Sequence, residues 1–347
     1  MPFTPTLYET HESLPLVRRH WQPETFFTQL CFSNVQTYDT KFIDFDVLEE
    51  TRKLAPFVAP TAQGRPMREQ GVETRIFEPA YIKPKDAVDA SRPILQRTAG
   101  EPIGGNLTAA ERYAIIKQQV VRNHMQSIAL RLEWMAVQAM LAGEVTVTGE
   151  NYPSKTVTFG RADALTIAAS DLDAEWTASD ADPEGDLENA GQLVLDNSGA
   201  SITDLVFDQK AWNLLRKNKE FREKLDNRRQ DGGVMQLFNQ RPKYVQYKGN
   251  VGDIDYWVYG GAYKDDAGDL QRFLPDYTVV GVDRESITGI QAYGAIHDPR
   301  AGYMPVSHFI KNWMNEDPPA ELIMTQTAPL MIPAEPNACF AMTVAAG

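Results

Sequence analysis

A chain of 347 residues has room for two or three domains, and 43% hydrophobic with 10% aromatic residues is enough for a substantial core, which excludes global disorder. A formal net charge of −13 does not suit sequence-independent binding to phosphates, which needs a basic surface, whereas it does suit high solubility at high local concentration. No run of eighteen apolar residues occurs and the opening MPFTPTLYETHE lacks a basic-then-apolar layout, so a soluble, non-exported protein without a membrane span is expected. Cys31 and Cys339 lie at opposite ends with no metal or redox spacing and are expected as two reduced, partly buried thiols.

Residues 1–39 read as an arm, because Pro2, Pro5, Pro15 and Pro23 break any long element. A short amphipathic helix over Glu24 to Phe32 is predicted to anchor it through Phe26, Phe27 and Leu30, docked either on its own chain or, the sharper expectation, on a neighbouring subunit. Lys41 to Leu48 and Val72 to Phe77 alternate with strand period and predict a long β-hairpin whose tip carries Arg65, Arg68 and Glu69, with Arg75 on the returning strand. Two strands alone are marginal in water, so something outside the hairpin must cover one of its faces. The following Lys83-Pro84-Lys85 is expected to be extended and solvated in preference to touching phosphate.

The stretch Thr108 to Ala142 contains neither Pro nor Gly, and Thr108 with Glu111 three residues later predicts a capping box. Gly143 supplies the stop. Tyr113, Ile116, Val120, Met125, Ile128, Leu132, Met135 and Ala139 form one apolar stripe, so a single rod roughly 50 Å long is predicted. Arg122, Arg131 and Glu133 are placed on its polar side.

A hairpin is predicted over residues 143–161, and Pro183 with Glu184, Asp186 and Glu188 behind it predicts a helix to about Asp196. Asp180, Asp182, Glu184 and Asp186 match no calcium-loop pattern and read as the acidic start of that helix. Ile202 to Phe207 reads as a buried strand, followed by a helix capped by Asp208 that runs to about Leu225 with Trp212, Leu215 and Phe221 inward. Basic residues of this region, Arg228 and Arg229 among them, interleave with Glu220, Glu223 and Asp226, which favours ion pairs over a nucleic-acid patch. From Tyr244 the chain is strand-rich, with candidates at 244–247, 254–259, 270–274 and 277–282, turns at KGNVGD and KDDAGD, and final strands in LIMTQTAPLMIP and ACFAMTVAA.

Chemistry-bearing motifs are sparse. There is no phosphate-binding Gly-rich loop, no HExxH, no paired Cys spacing and no Gly-x-Ser-x-Gly elbow, and no cofactor or metal is implied. His297-Asp298 is the best catalytic fragment and carries the alternative of an intracellular hydrolase, although a His-Asp pair before Pro299 is more often a turn.

One resemblance runs nearly end to end. It is carried by Phe57-Val58 with Pro60 and Gly64, by Phe77, Pro79, Tyr81, Lys83, Pro84 and Lys85, by Gly149-Glu150, and by Val206-Phe207-Asp208 with Lys210 and Trp212. It continues through Glu223-Lys224-Leu225-Asp226 with Arg228-Arg229, Tyr247-Lys248-Gly249 with Gly252-Asp253, Phe273-Leu274-Pro275-Asp276, Tyr293-Gly294, Lys311-Asn312-Trp313 and Ala328-Pro329-Leu330-Met331. In this order the pieces resemble the lambda-type major capsid proteins of tailed bacteriophages, the capsid protein E family. The resemblance implies an α+β fold of the Hong Kong 97 type and a non-enzymatic shell subunit. It divides the chain into an N-terminal arm (1–39), an extended β-hairpin loop (40–90), a peripheral domain with a spine helix (91–200; helix 108–142), an axial domain (201–310) and return strands (311–347). It implies hexamers and pentamers of an icosahedral shell around double-stranded DNA enclosed without sequence-specific binding. Scaffolding and portal proteins and a small decoration protein are the implied partners, with assembly in the host bacterial cytoplasm and residence in the virion. A container of this kind must not adhere to its nucleic acid, which the acidic balance suits. Subunit contacts are expected at Arg65, Arg68, Glu69, Arg75, Phe26, Phe27, Arg228 and Arg229.

Overall fold

The structure, a computed structural model, describes residues 25–48, 72–89, 108–149, 152–218, 221, 244–265, 267–302, 304–317 and 319–346. In chain order it begins with α1 (Phe26–Cys31), β1 (Asn34–Thr37), the hairpin strands β2 (Ile43–Leu48) and β3 (Val72–Phe77), and β4 (Lys85–Asp89). The long helix α2 (Ala109–Ala142) follows, then β5 (Glu144–Gly149), β6 (Tyr152–Thr158), β7 (Thr166–Ile167), α3 (Pro183–Ser198), β8 (Asp204–Phe207) and α4 (Gln209–Leu215). The last third holds β9 (Val245–Val251), β10 (Ile254–Tyr259), β11 (Ala262–Lys264), β12 (Leu270–Arg272), β13 (Thr278–Val282), α5 (Arg284–Ile287) and β14 (Ile290–Tyr293). It closes with β15 (Phe309–Asn315), β16 (Ala320–Gln326), β17 (Pro329–Ile332) and β18 (Cys339–Thr343).

The long helix starts and stops where its chemistry dictates. The Glu111 amide donates to the Thr108 hydroxyl at 3.2 Å and the Thr108 amide donates to the Glu111 carboxylate at 2.7 Å. At the far end Gly143 takes a left-handed conformation, φ 65°, and its amide closes onto the Ala139 carbonyl. The cation that favours a helix C-terminus comes from outside the helix: Arg161 donates to the Met140 and Leu141 carbonyls, each at 2.5 Å. Arg161 also explains why residue 143 has no side chain, since a Cβ there would lie 2.7 Å from the Arg161 Cβ.

A six-stranded sheet in the order β7-β18-β13-β8-β10-β9 forms the centre. Its middle strands β8 and β13 are buried along their whole length, Asp204 and Thr278 included, so neither shows the alternation of a half-exposed strand. Two three-stranded sheets, β1-β14-β17 and β15-β16-β4, and three two-stranded ones, β2-β3, β5-β6 and β11-β12, complete the pairing. Lys83 and Lys85 are exposed, as expected of an extended, solvated segment, and from Lys85 the chain continues as β4, paired with residues 320–324 of β16.

Two cores share the long helix. Its first half packs Ile116 and Val120 on Val88, Ile310 and Ile323 of the β15-β16-β4 sheet. From Met125 onward it belongs to the main core, with Phe26, Phe27, Phe159, Trp257 and Phe340. The expected buried stripe is as predicted, but the polar assignment of Glu133 is corrected: the side chain is 2% exposed and faces inward, while Arg122 and Arg131 are exposed.

Candidate functional site

Three parts of the structure either hold elements in place through buried polar contacts or leave apolar surface exposed. The first is α1. A helix of six residues cannot hold itself. Thr25, at its N-cap, offers no side-chain hydrogen bond. Glu133 of α2 supplies one instead: its Oε1 accepts the Phe26 and Phe27 amides at 3.0 and 2.9 Å, and its Oε2 accepts the Thr28 amide and hydroxyl at 3.0 and 2.8 Å. The Tyr259 hydroxyl donates to Oε1 at 3.0 Å, and burial, reinforced by the neighbouring carboxylate, pushes that phenol well above its usual pKa. Phe26 stacks on Tyr259 and tilts against Trp257. The expectation that Phe26 and Phe27 meet a neighbouring subunit is corrected: they are 1% and 0% exposed within their own chain, because the aromatic pocket and the carboxylate that caps them both belong to it.

The second is the root of the β2-β3 hairpin. Its inner face buries Ile43 and Phe77 and sets Phe45 against Phe159, with ring centroids 6.0 Å apart. Its outer face leaves Ile76 66% exposed, beside Phe42 at 45%. Arg75 donates to the Thr158 carbonyl at 2.5 Å and to its hydroxyl at 2.9 Å, tying the hairpin to β6. Lys41 and Lys155 both approach Glu78, at 2.5 and 3.5 Å. Arg65, Arg68 and Glu69 at the tip, and Arg228 and Arg229, lie outside the described residues. The structure thus places Arg75 at the hairpin root, against Thr158 of β6.

The third is the seam between α2 and the β15-β16-β4 sheet. Glu321, 1% exposed, accepts Lys117 Nζ and Asn312 Nδ2 on Oε1, both at 2.8 Å, and the Tyr113 hydroxyl on Oε2. Burial opposes its charged form, but the bonds from Lys117, Tyr113 and Asn312 outweigh it and hold the carboxyl below its usual range. One helix face further on, His124 Nδ1 meets the Thr325 hydroxyl and Nε2 meets Asp86, each at 3.2 Å. Nothing in the apolar spacing singled out Glu133, Lys117, Glu321 or His124. One signal was available: the step of five from Val120 to Met125 is filled by His124, and Lys117 lies seven residues before it, both in register with the buried stripe.

Two histidines give the subunit a pH dependence. Burial lowers the pKa of His124, with Asp86 pulling it partly back, and desolvation beside Tyr293 pushes His308 down to about 4. An imidazole depressed in the fold binds its proton more readily once unfolded. Its contribution to stability is therefore complete above the unfolded value of about 6.5 and is lost as pH falls toward the folded one. For His308 the shift caps that loss at about 3 kcal/mol between about pH 6.5 and 4, and the half-buried ring's residual contact with water reduces it. Urea midpoints at pH 7.5 and 4.5 should show a fall that His308→Gln flattens. An unchanged slope in that variant would remove His308 from the account.

The catalytic fragment does not assemble. The Asp298 carboxylate accepts the Arg300 amide at 2.9 Å, Lys311 Nζ at 2.6 Å and Gln326 Nε2 at 3.4 Å, so it caps a short turn and pairs with a lysine. Burial works against its charged form, and these donors still hold it below the usual range. His297 is exposed, with its ring 6.2 Å from that of Tyr81. The acidic stretch before α3 is likewise structural: Asp182 accepts the Gly185 amide and Asp186 accepts the Trp176 indole N–H. Among the described residues no group of three or more His, Cys, Asp or Glu side chains is placed to hold a metal ion, and no helix is long and apolar enough to cross a membrane. Cys31 and Cys339 are buried free thiols, and burial raises the pKa of both.

A long spine helix between a central sheet and a peripheral sheet, with a hairpin projecting before it, defines the Hong Kong 97 class of phage capsid subunits. A prophage capsid protein of E. coli CFT073, known by crystal structure, superposes with a TM-score of 0.77 over 97% of this chain and 99% of its own, at 24% identity. The family model of phage major capsid protein E matches residues 4–344, and the chain belongs to that family. It is 32% identical to the major capsid protein of Escherichia phage lambda over 96% of this chain and 97% of the relative. Identity to the major capsid protein of Escherichia phage N15 is 30%, over 96% and 97%. Its function is that of a major head protein of a tailed phage, a structural role in a self-assembling shell.

Proposed function

We propose that the subunit assembles as hexamers and pentamers of an icosahedral shell that encloses double-stranded DNA without reading its sequence, and that it performs no catalysis. Residues 1–39 act as the arm, 40–90 as the extended loop, 91–200 as the peripheral domain, 201–310 as the axial domain, and 311–347 return to the sheets. The observation that carries the reading is the β2-β3 hairpin, which pairs with no third strand among the described residues and presents Ile76 and Phe42 outward. A two-stranded ribbon with an exposed apolar face is unstable in isolation, and a neighbouring copy supplies the cover. Scaffolding and portal proteins, and a small decoration protein, complete the partners, with assembly in the bacterial cytoplasm before residence in the virion.

Electron microscopy of the chain expressed with its scaffold tests this: closed shells are expected, and a strictly monomeric protein under all assembly conditions would overturn it. Within that assembly, Arg65, Arg68, Glu69 and Arg75, with Arg228 and Arg229, meet charges on adjacent subunits. Arg68→Glu should impair particle formation far more than monomer solubility. Normal particles from that variant would exclude Arg68 from the contact.

A further inference from the structure

We propose that Glu133 is a positioning residue for assembly, which fixes residues 25–37, α1 and β1, inside each subunit, so that this segment is not exchanged between subunits. The inference rests on the assembly reading above and assigns a device within it. Four donors at the start of α1 converge on one carboxylate that is 2% exposed. The fifth, Tyr259, links the same carboxylate to β10 of the central sheet. The opposite end of α1 is held as firmly: the Gly289 amide donates to the Cys31 carbonyl at 2.8 Å, and Gln291 Nε2 donates to the Phe32 carbonyl at 2.7 Å. The approach at Gly289 is so close that a Cβ there would lie 2.5 Å from the Cys31 oxygen. β1 then runs parallel to β14 from Asn34↔Ile290 to Thr37↔Tyr293. Residues 25–37 are thus built into the subunit at both ends of α1, although the carboxylate that caps the helix is more than a hundred positions away in the chain.

The charge of Glu133 is essential to this arrangement, because both of its oxygens only accept and every partner only donates at that point. Glu133→Gln keeps the shape but turns an NH₂ toward at least one backbone amide donor, so part of the cap is lost without a cavity. Thr28→Val removes a single donor, and Tyr259→Phe removes the tie to the sheet while leaving the four α1 donors in place. Amide hydrogen exchange at Phe26, Phe27 and Thr28 in the unassembled subunit should accelerate by about tenfold or more in Glu133→Gln and by less in Thr28→Val, in line with the loss of charge-assisted bonds. Particle yield should fall and particle size should spread in the same order. Tyr259→Phe should leave the α1 exchange rates near those of the parent chain.

Uniform particles at parental yield from variants whose α1 amides exchange freely would overturn the proposal. So would exchange rates at α1 that do not respond to Glu133→Gln. If Glu133→Gln does not fold, the graded Thr28→Val and Tyr259→Phe pair carries the same comparison. If the parent chain itself forms no shells, the assembly reading fails, and the exchange measurement still reports on the clamp.

Discussion

Glu321→Ala should destabilise the isolated subunit by about 3–5 kcal/mol, the cost of removing one partner from a buried ion pair. Glu321 is 1% exposed at its side chain and Lys117 only 10%, so the ammonium left behind would lose the carboxylate it faces in a site with little water. Tyr113 and Asn312 would lose their acceptor at the same time. The apolar core of this seam, built on Val88, Ile116, Val120, Ile310 and Ile323, is small and has little surplus to absorb the loss. Replacing both charges, as Lys117→Met with Glu321→Leu, should recover most of the stability, because burying a charge pair costs nearly what its attraction returns. Denaturant midpoints for the two single variants and the double settle the matter. A loss below about 1 kcal/mol for Glu321→Ala would mean the pair behaves as a surface bridge. The pH dependence has a defined sign. The Glu321 carboxyl is depressed in the fold, so its contribution is complete above the unfolded carboxylate value and is lost as pH falls through the folded one.

The seam also shows where the sequence is legible and where it is not. The limits of α2 are readable to the residue because Thr108, Glu111 and Gly143 carry local signals, each acting within one turn of the helix end. The strands of the β2-β3 hairpin are readable because alternation is local too. The partners of Glu133 and Glu321 are not, since Phe26 lies 107 positions from one and Lys117 lies 204 from the other. Counting apolar spacings assigns any carboxylate to the solvent face, and only the fold reveals which ones find enough donors to go inside. The same limit hides the pairing of Lys85–Asp89 with β16 and of β1 with β14, where neither strand announces its neighbour. It also explains Phe26 and Phe27. Their hydrophobicity required a dock, and the sequence left open which surface provides it. The structure answers with Trp257 and Tyr259 of the same chain. The outer face of the hairpin root, with Ile76 and Phe42, and the side of α2 that carries Arg122 and Arg131 are exposed.

The second large effect is expected in the central sheet, at Gly281. This residue lies in β13 opposite Phe340 of β18 on one side and Leu205 of β8 on the other. A Cβ at 281 would sit 2.1 Å from Cε1 and 2.6 Å from Cζ of the Phe340 ring, which lies over the bare backbone. Phe340 is 0% exposed, so the ring has no solvent to move into. Gly281→Ala should therefore force a rotamer or backbone shift in a close-packed interior, at a cost of about 1–3 kcal/mol, although alanine is the better strand former. Phe340→Ala alone should cost about 3–5 kcal/mol through the cavity it leaves. The two changes occupy and vacate the same space, so they should not add. The double variant should be more stable than the sum of the singles by about 1 kcal/mol or more, a coupling typical of residues in direct contact. Equilibrium unfolding of all four proteins closes the cycle. Strict additivity would show that the ring and the missing Cβ do not compete, and Gly281 would then owe its place in the sheet to something other than Phe340.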